Sequence, residues 1–80
     1  MDEFIGKIDL YPYSFTPMFM ALCNGQTLQI AQYNALYALI GNTYGGTPGQ
    51  TFAVPNMLGL EPVPGLNYYI ITEGVFPTRD

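Results

Sequence analysis

This chain has no histidine and a single cysteine, and those two gaps remove most routes to chemistry. Without a second thiol, Cys23 forms no disulfide within the chain, and the usual zinc ligand sets are missing. A nucleophilic thiol also needs a base or cation beside it. The only cations are Lys7 and Arg79, both far from Cys23 in sequence, so it reads as a small buried hydrophobe. Two basic residues against six acidic ones give a net charge of −4, which leaves no basic face for nucleic acid. The acidic residues are scattered, with no closely spaced set to hold calcium. Long apolar runs are absent too, none approaching the ~18 residues of a membrane span. The start, Met1-Asp2-Glu3, is acidic where a signal peptide is basic. The expectations are therefore no enzyme, no metal, no cofactor, no membrane insertion, and synthesis in the cytoplasm without a signal peptide.

What the chain does have is apolar and aromatic surface. Hydrophobic residues make up 49% and aromatics 15%, with charges at only 10% against the ~25% of an ordinary soluble domain. Eighty residues allow one domain, 1–80, and a chain this short buries only about 60–65% of its unfolded surface. Small domains usually add disulfides, metals or oligomerisation. With the first two missing, oligomerisation is the support that remains.

The pattern predicts a small α+β unit of short antiparallel strands or hairpins and one helix. Phe4–Tyr13 alternates, with Phe4, Ile8 and Leu10 on one face and Lys7 and Asp9 on the other, and ends at Pro12. "SFTPMFM" reads as irregular around Pro17. "MALCNGQTLQI" reads as a hairpin turning at Asn24-Gly25. Residues 31–41 carry a helical stripe of Leu36, Leu39 and Ile40, with Tyr33 and Tyr37 at its borders, a stop at Gly41 and no capping residue near Ala31. "TFAVP" and "NYYIITEGVF" complete the set as strands.

Three other features carry a functional reading beside a plainer one. "IGNTYGGTPG" is glycine-rich, but it follows a helix and precedes a strand, the reverse of a phosphate cradle, and reads as a structural turn. Glu61 and Glu73 lie in the most apolar segment and are placed to pair with Lys7 or Arg79. Tyr33, Tyr37, Tyr44, Tyr68 and Tyr69 form either a sugar-stacking or protein-contact surface, or rings half of which are core. Tyr68 and Tyr69, being adjacent on a strand, cannot share a face.

Several words in order resemble the phage tail-collar domain: Phe4-Ile5-Gly6, Cys23-Asn24-Gly25-Gln26, Leu39-Ile40-Gly41, Tyr44-Gly45-Gly46, Thr51–Pro55 and the closing "LNYYIITEGVFPTRD". The resemblance implies a non-enzymatic component of a phage tail fibre or phage-tail-like particle, found in a virion or an extracellular particle. It implies self-association, a trimer among the arrangements, or docking to other particle proteins. The family pattern has Arg-Gly-Trp where this chain has Met18-Phe19-Met20, arginines at Leu58 and Leu60, Asp at Asn56 and a Ser cap at Ala31. Longer relatives also carry an insertion of which only "EPVPG" (Glu61–Gly65) is left. Charge is lost at both ends of one surface, and the Asp-to-Asn change avoids leaving an unpaired carboxylate. Met18, Phe19, Met20, Met57, Leu58 and Leu60 are thus expected either to form an apolar interface or to close the core. The alternative function is a small-ligand or glycan-binding adhesin using Tyr44, Tyr68 and Tyr69.

Overall fold

The computed structural model describes residues 3–77. Chain order is β1 (Ile8–Tyr11), β2 (Met20–Leu22), β3 (Thr27–Gln29), α1 (Asn34–Ile40), β4 (Thr51–Ala53) and β5 (Asn67–Ile71). β5 lies between β1 and β2 in one antiparallel sheet, while β3 pairs with β4 in another. One helix and short antiparallel strands in two sheets are the α+β class expected from the sequence.

The last strand is the centre of its sheet, and this explains its composition. Tyr69, Ile70, Ile71 and Thr72 are all buried. A strand with neighbours on both edges and cover on both faces reads as a continuous apolar run, not as an alternation. On one face Ile70 lies opposite Ile8 of β1 and Ala21 of β2. These meet Leu36 of α1, Phe52 of β4, Leu28, Val54 and Cys23 in the main core. Tyr37 packs its ring on Phe52 at 5.4 Å between centroids. Full burial of Leu36 or Phe52 stabilises the fold by about 1.5–3 kcal/mol each.

Three sequence expectations are corrected here. The first strand does not begin at Phe4. Gly6 has φ +90, and Lys7 N donates to Phe4 O at 3.2 Å, so residues 4–7 make a tight turn. Gly6 N donates to Ile71 O while Ile71 N donates to Lys7 O, so two residues oppose one, as in a glycine bulge. The extra residue turns Ile5 into the core and leaves Phe4 exposed.

The hairpin at Asn24-Gly25 is also absent. β2 pairs with β5 and β3 with β4, so its two arms sit in different sheets. The chain bends there without reversing: Asn24 bridges Asn56, Gly25 N donates to Pro55 O, and Val54 N donates to Gln26 O. The Asn24 side chain accepts from Gln26 N at 3.1 Å, which satisfies the bend locally. The expected local turn chemistry is present, but partners more distant in sequence take the strands.

The helix starts at Asn34, not Ala31, and no side-chain hydrogen bond caps it at Tyr33. Residues 30–33 form turns on Gln29 O, which is the cost of lacking a capping side chain. Leu36 is buried as the stripe predicts, but Leu39 is exposed near its edge. The glycine-rich loop closes on Asn42, whose Nδ2 donates to Gly45 O and Thr51 O while its Oδ1 accepts from the Tyr37 hydroxyl. That arrangement is a structural turn, clipped to helix and strand at once.

Candidate functional site

The topology creates one feature with no counterpart in the linear pattern. β1 and β2 flank β5, so the segment joining them, residues 12–19, must cross β5. It crosses the face opposite the main core, over Tyr69. The Tyr69 hydroxyl lies 3.1 Å from Tyr13 O and 3.2 Å from Phe15 O, sharing its one proton between them. Asn67 Nδ2 donates to Tyr13 O at 3.1 Å. The strap is therefore fixed by β5 side chains bonded to its backbone, which frees its own side chains to point outward.

Those side chains are aromatic. Tyr11 stacks on Tyr13 with centroids 5.6 Å apart and planes within 11°, Tyr13 meets Phe15 at 5.7 Å, and Tyr11 meets Tyr69 edge-on. In the linear pattern Tyr13 closes the alternating Phe4–Tyr13 segment and Phe15 falls in the irregular residues 14–20, so neither stands out as a site residue. The available signal was the period-two spacing of Tyr11, Tyr13 and Phe15 between Pro12 and Pro17. Farther along, Phe19 has φ +69, the one non-glycine positive φ among the described residues. A bulky residue there carries backbone strain of about 1–2 kcal/mol.

The six expected interface residues attach near the two ends of β5. Phe19 O accepts from Thr72 N and Met20 lies opposite Ile71, so Met18, Phe19 and Met20 flank one end of β5. Met57 N donates to Cys23 O, and Cys23 N donates to Tyr68 O, which anchors Met57, Leu58 and Leu60 at the other end. The anchors, Thr72 and Tyr68, are four positions apart along the chain, about 13 Å. Met18 is 77% exposed and Leu58 55%, with Leu60 exposed too, while Met57 packs partly against the core.

The tyrosines of the adhesin reading are dispersed. Tyr44 stands exposed in the glycine loop, Tyr68 packs half-buried against the core, and Tyr69 is only 2% exposed beneath the strap. Tyr69 is thus a buried positioning group and not a ligand contact, and no surface carries all three. Cys23 is buried, and its burial pushes the thiol up to about 11, as fits a packed, unreactive side chain. Lys7 pairs with Glu3 at 3.0 Å, and that hydrogen bond raises its pKa. Glu61 Oε1 accepts from Gly59 N at 2.9 Å, and Lys7, one of the two cations expected to pair with Glu61 or Glu73, pairs with Glu3 instead. Arg79 lies outside the described residues. Among the described residues no three His, Cys, Asp or Glu side chains gather as a metal site would need. No helix among them is long and apolar enough to cross a membrane.

A family model, Phage Tail Collar Domain, matches residues 6–62. The match spans β1 to β4 and the helix, and ends before β5. No curated protein and no solved structure matches the chain.

Proposed function

The chain belongs to the phage tail collar domain family, and on that premise we propose that it is an assembly unit of a phage tail fibre or phage-tail-like particle. Family membership itself gives the structural role in the tail and the association with a virion. The proposal adds how the unit joins its neighbours: it binds copies of itself, as a closed trimer, or another particle protein, by burying apolar surface. Its work is done by shape and burial, without catalysis.

One observation carries this reading. Among the described residues twelve large hydrophobics are exposed, including Phe4, Phe15, Met18, Leu58, Leu60 and Phe76. Charged residues are only 10% of the chain, so the polar cover that keeps a small monomer apart from its neighbours is thin.

Light scattering across a dilution series of the purified chain tests the proposal. A mass above that of one chain, falling on dilution, is the expected result. A monomer at every concentration sinks self-association. Leu58→Arg then asks whether the Met57–Leu60 group takes part: the side chain is half out of contact already, so the variant folds. An unchanged mass removes that group from the interface.

A further inference from the structure

We infer that the strap Pro12–Phe19, and not an open sheet edge, is the face on which a second copy of this chain sits. The inference rests on the self-association proposed above and names the surface that performs it.

The sheet edges come first, because a small antiparallel sheet usually associates by adding strands. β1 and β2 are both edge strands. Lys7 O accepts from Ile71 N, so the alternation of the ladder turns residues 9 and 11 toward β5 and residues 8 and 10 outward. The outward Leu10 N–H is already taken by Asp9 Oδ1 at 2.8 Å, and Pro12 ends the strand. On β2, Cys23 N bonds Tyr68 O, which turns Met20 and Leu22 outward. Met20 N donates to Pro17 O, and Leu22 O accepts from Asn24 N and Gln26 Nε2. Each edge has part of its outward ladder taken from within the chain, Leu10 N on β1 and Met20 N and Leu22 O on β2, which leaves only a short, interrupted ladder for an incoming strand.

The strap offers the opposite. Tyr13, Phe15, Met18 and Phe19 are 36%, 66%, 77% and 39% exposed. At about 200 Å² for a fully exposed large side chain, they leave on the order of 400 Å² of apolar surface uncovered. That is about half of the ~800 Å² each partner contributes to a stable interface. It suits an apolar centre that a polar rim completes. The surface is also pre-ordered: Tyr69 and Asn67 hold the strap, and Phe19 is fixed by Thr72 N on its carbonyl and by the Pro17–Met20 turn. Pre-ordering lowers the entropy lost on binding. The strain at Phe19 projects a ring that the single chain leaves partly uncovered.

Charge leaves this face open to a second copy. The chain carries −4 overall, so most juxtapositions of two copies bring like charges together. Residues 10–60 contain no Asp, Glu, Lys or Arg. Glu3, Lys7 and Asp9 lie at the Tyr11 end of the row, where Glu3 and Asp9 raise the Tyr11 hydroxyl pKa after burial does and Lys7 lowers it; at the other end Glu73 follows Thr72, whose N donates to Phe19 O. Phe15 and Met18, which lie between these groups and carry no charge, can therefore meet a second copy with the four charged groups at the rim.

The test is the mass of Phe15→Glu and Met18→Glu chains beside wild type and Leu58→Arg, with circular dichroism to verify folding. Both sites are mostly exposed, so the variants fold, and each sets like charges across the shared face. The expected result is at least a 10-fold rise in the dissociation constant of the assembly, with Leu58→Arg nearer to wild type. Folded glutamate variants that keep the wild-type mass and dilution profile overturn the strap inference while leaving self-association standing. A wild-type chain that is monomeric throughout overturns both.

Discussion

Replacing Gly46 by alanine should damage the fold far more than the same change three residues on at Gly49. Both glycines lie in the loop between α1 and β4, at φ +99 and +85, where any side chain is strained. That shared cost is about 1–2 kcal/mol. The surroundings differ. A Cβ on Gly49 meets nothing within 4 Å. A Cβ on Gly46 comes within 2.6 Å of Thr51 O and 2.8 Å of Phe52 N, and closer still to Phe52 Cα. Those are backbone atoms of β4, so no rotamer change relieves the overlap. β4 must move, and with it Phe52, which is wholly buried in the core. Overpacking of this kind adds about 1–3 kcal/mol. The total for Gly46→Ala is then roughly 2–5 kcal/mol, a large share of the ~4–12 kcal/mol expected of an 80-residue domain. At about 4–8 °C per kcal/mol, Gly49→Ala lowers Tm by roughly 4–16 °C, and Gly46→Ala by about 4–24 °C beyond that. Thermal and urea unfolding followed by far-ultraviolet circular dichroism measure both. Equal destabilisation by the two variants would refute the close approach of this loop to β4.

Two further perturbations probe the strap and the core. Tyr69→Phe removes the hydroxyl under the strap and should cost about 0.5–1.5 kcal/mol. Tyr13 O keeps its bond from Asn67, so the loosening should centre on Phe15 and appear as faster native-state proteolysis within residues 12–19; unchanged cleavage there argues against the anchor. Cys23 is buried with its thiol pushed up to about 11, so it should resist alkylation at pH 8 in the folded chain and react promptly in urea. The folded pKa lies above the unfolded value, so the stability held by the neutral thiol is complete below about pH 8.5. It is lost as pH rises from there toward 11. Rapid native alkylation would mean that the β2–β5 core opens readily.

The turn chemistry was legible in the linear pattern because it is local. Asn24-Gly25 and the glycine loop bend where the residues demand it, and Leu36 faces inward because helical spacing puts it there. Where partners had to be chosen, the pattern was silent. Two apolar arms around Asn-Gly look alike whether they pair with each other or with β5 and β4. Period two says that neighbouring side chains face opposite ways, but not which face is covered. So Phe4 and Ile5 exchanged places when the Gly6 bulge inserted one residue, and Tyr69 proved buried while Phe15 proved exposed. The helix boundary moved because no side chain fixes it.

The sequence by itself determined what this protein lacks: the residues for a zinc site or an activated thiol, and the charge to keep its surface wet. It also carried the resemblance that the family match bears out over residues 6–62. The tertiary structure alone decided where the apolar surface lies. Pairing across some sixty residues put the last strand between the first two, and the chain joining those two had no route except over its face. Satisfying the strap's carbonyls from Tyr69 and Asn67 used up the polar groups beneath it and left its aromatic side chains outside.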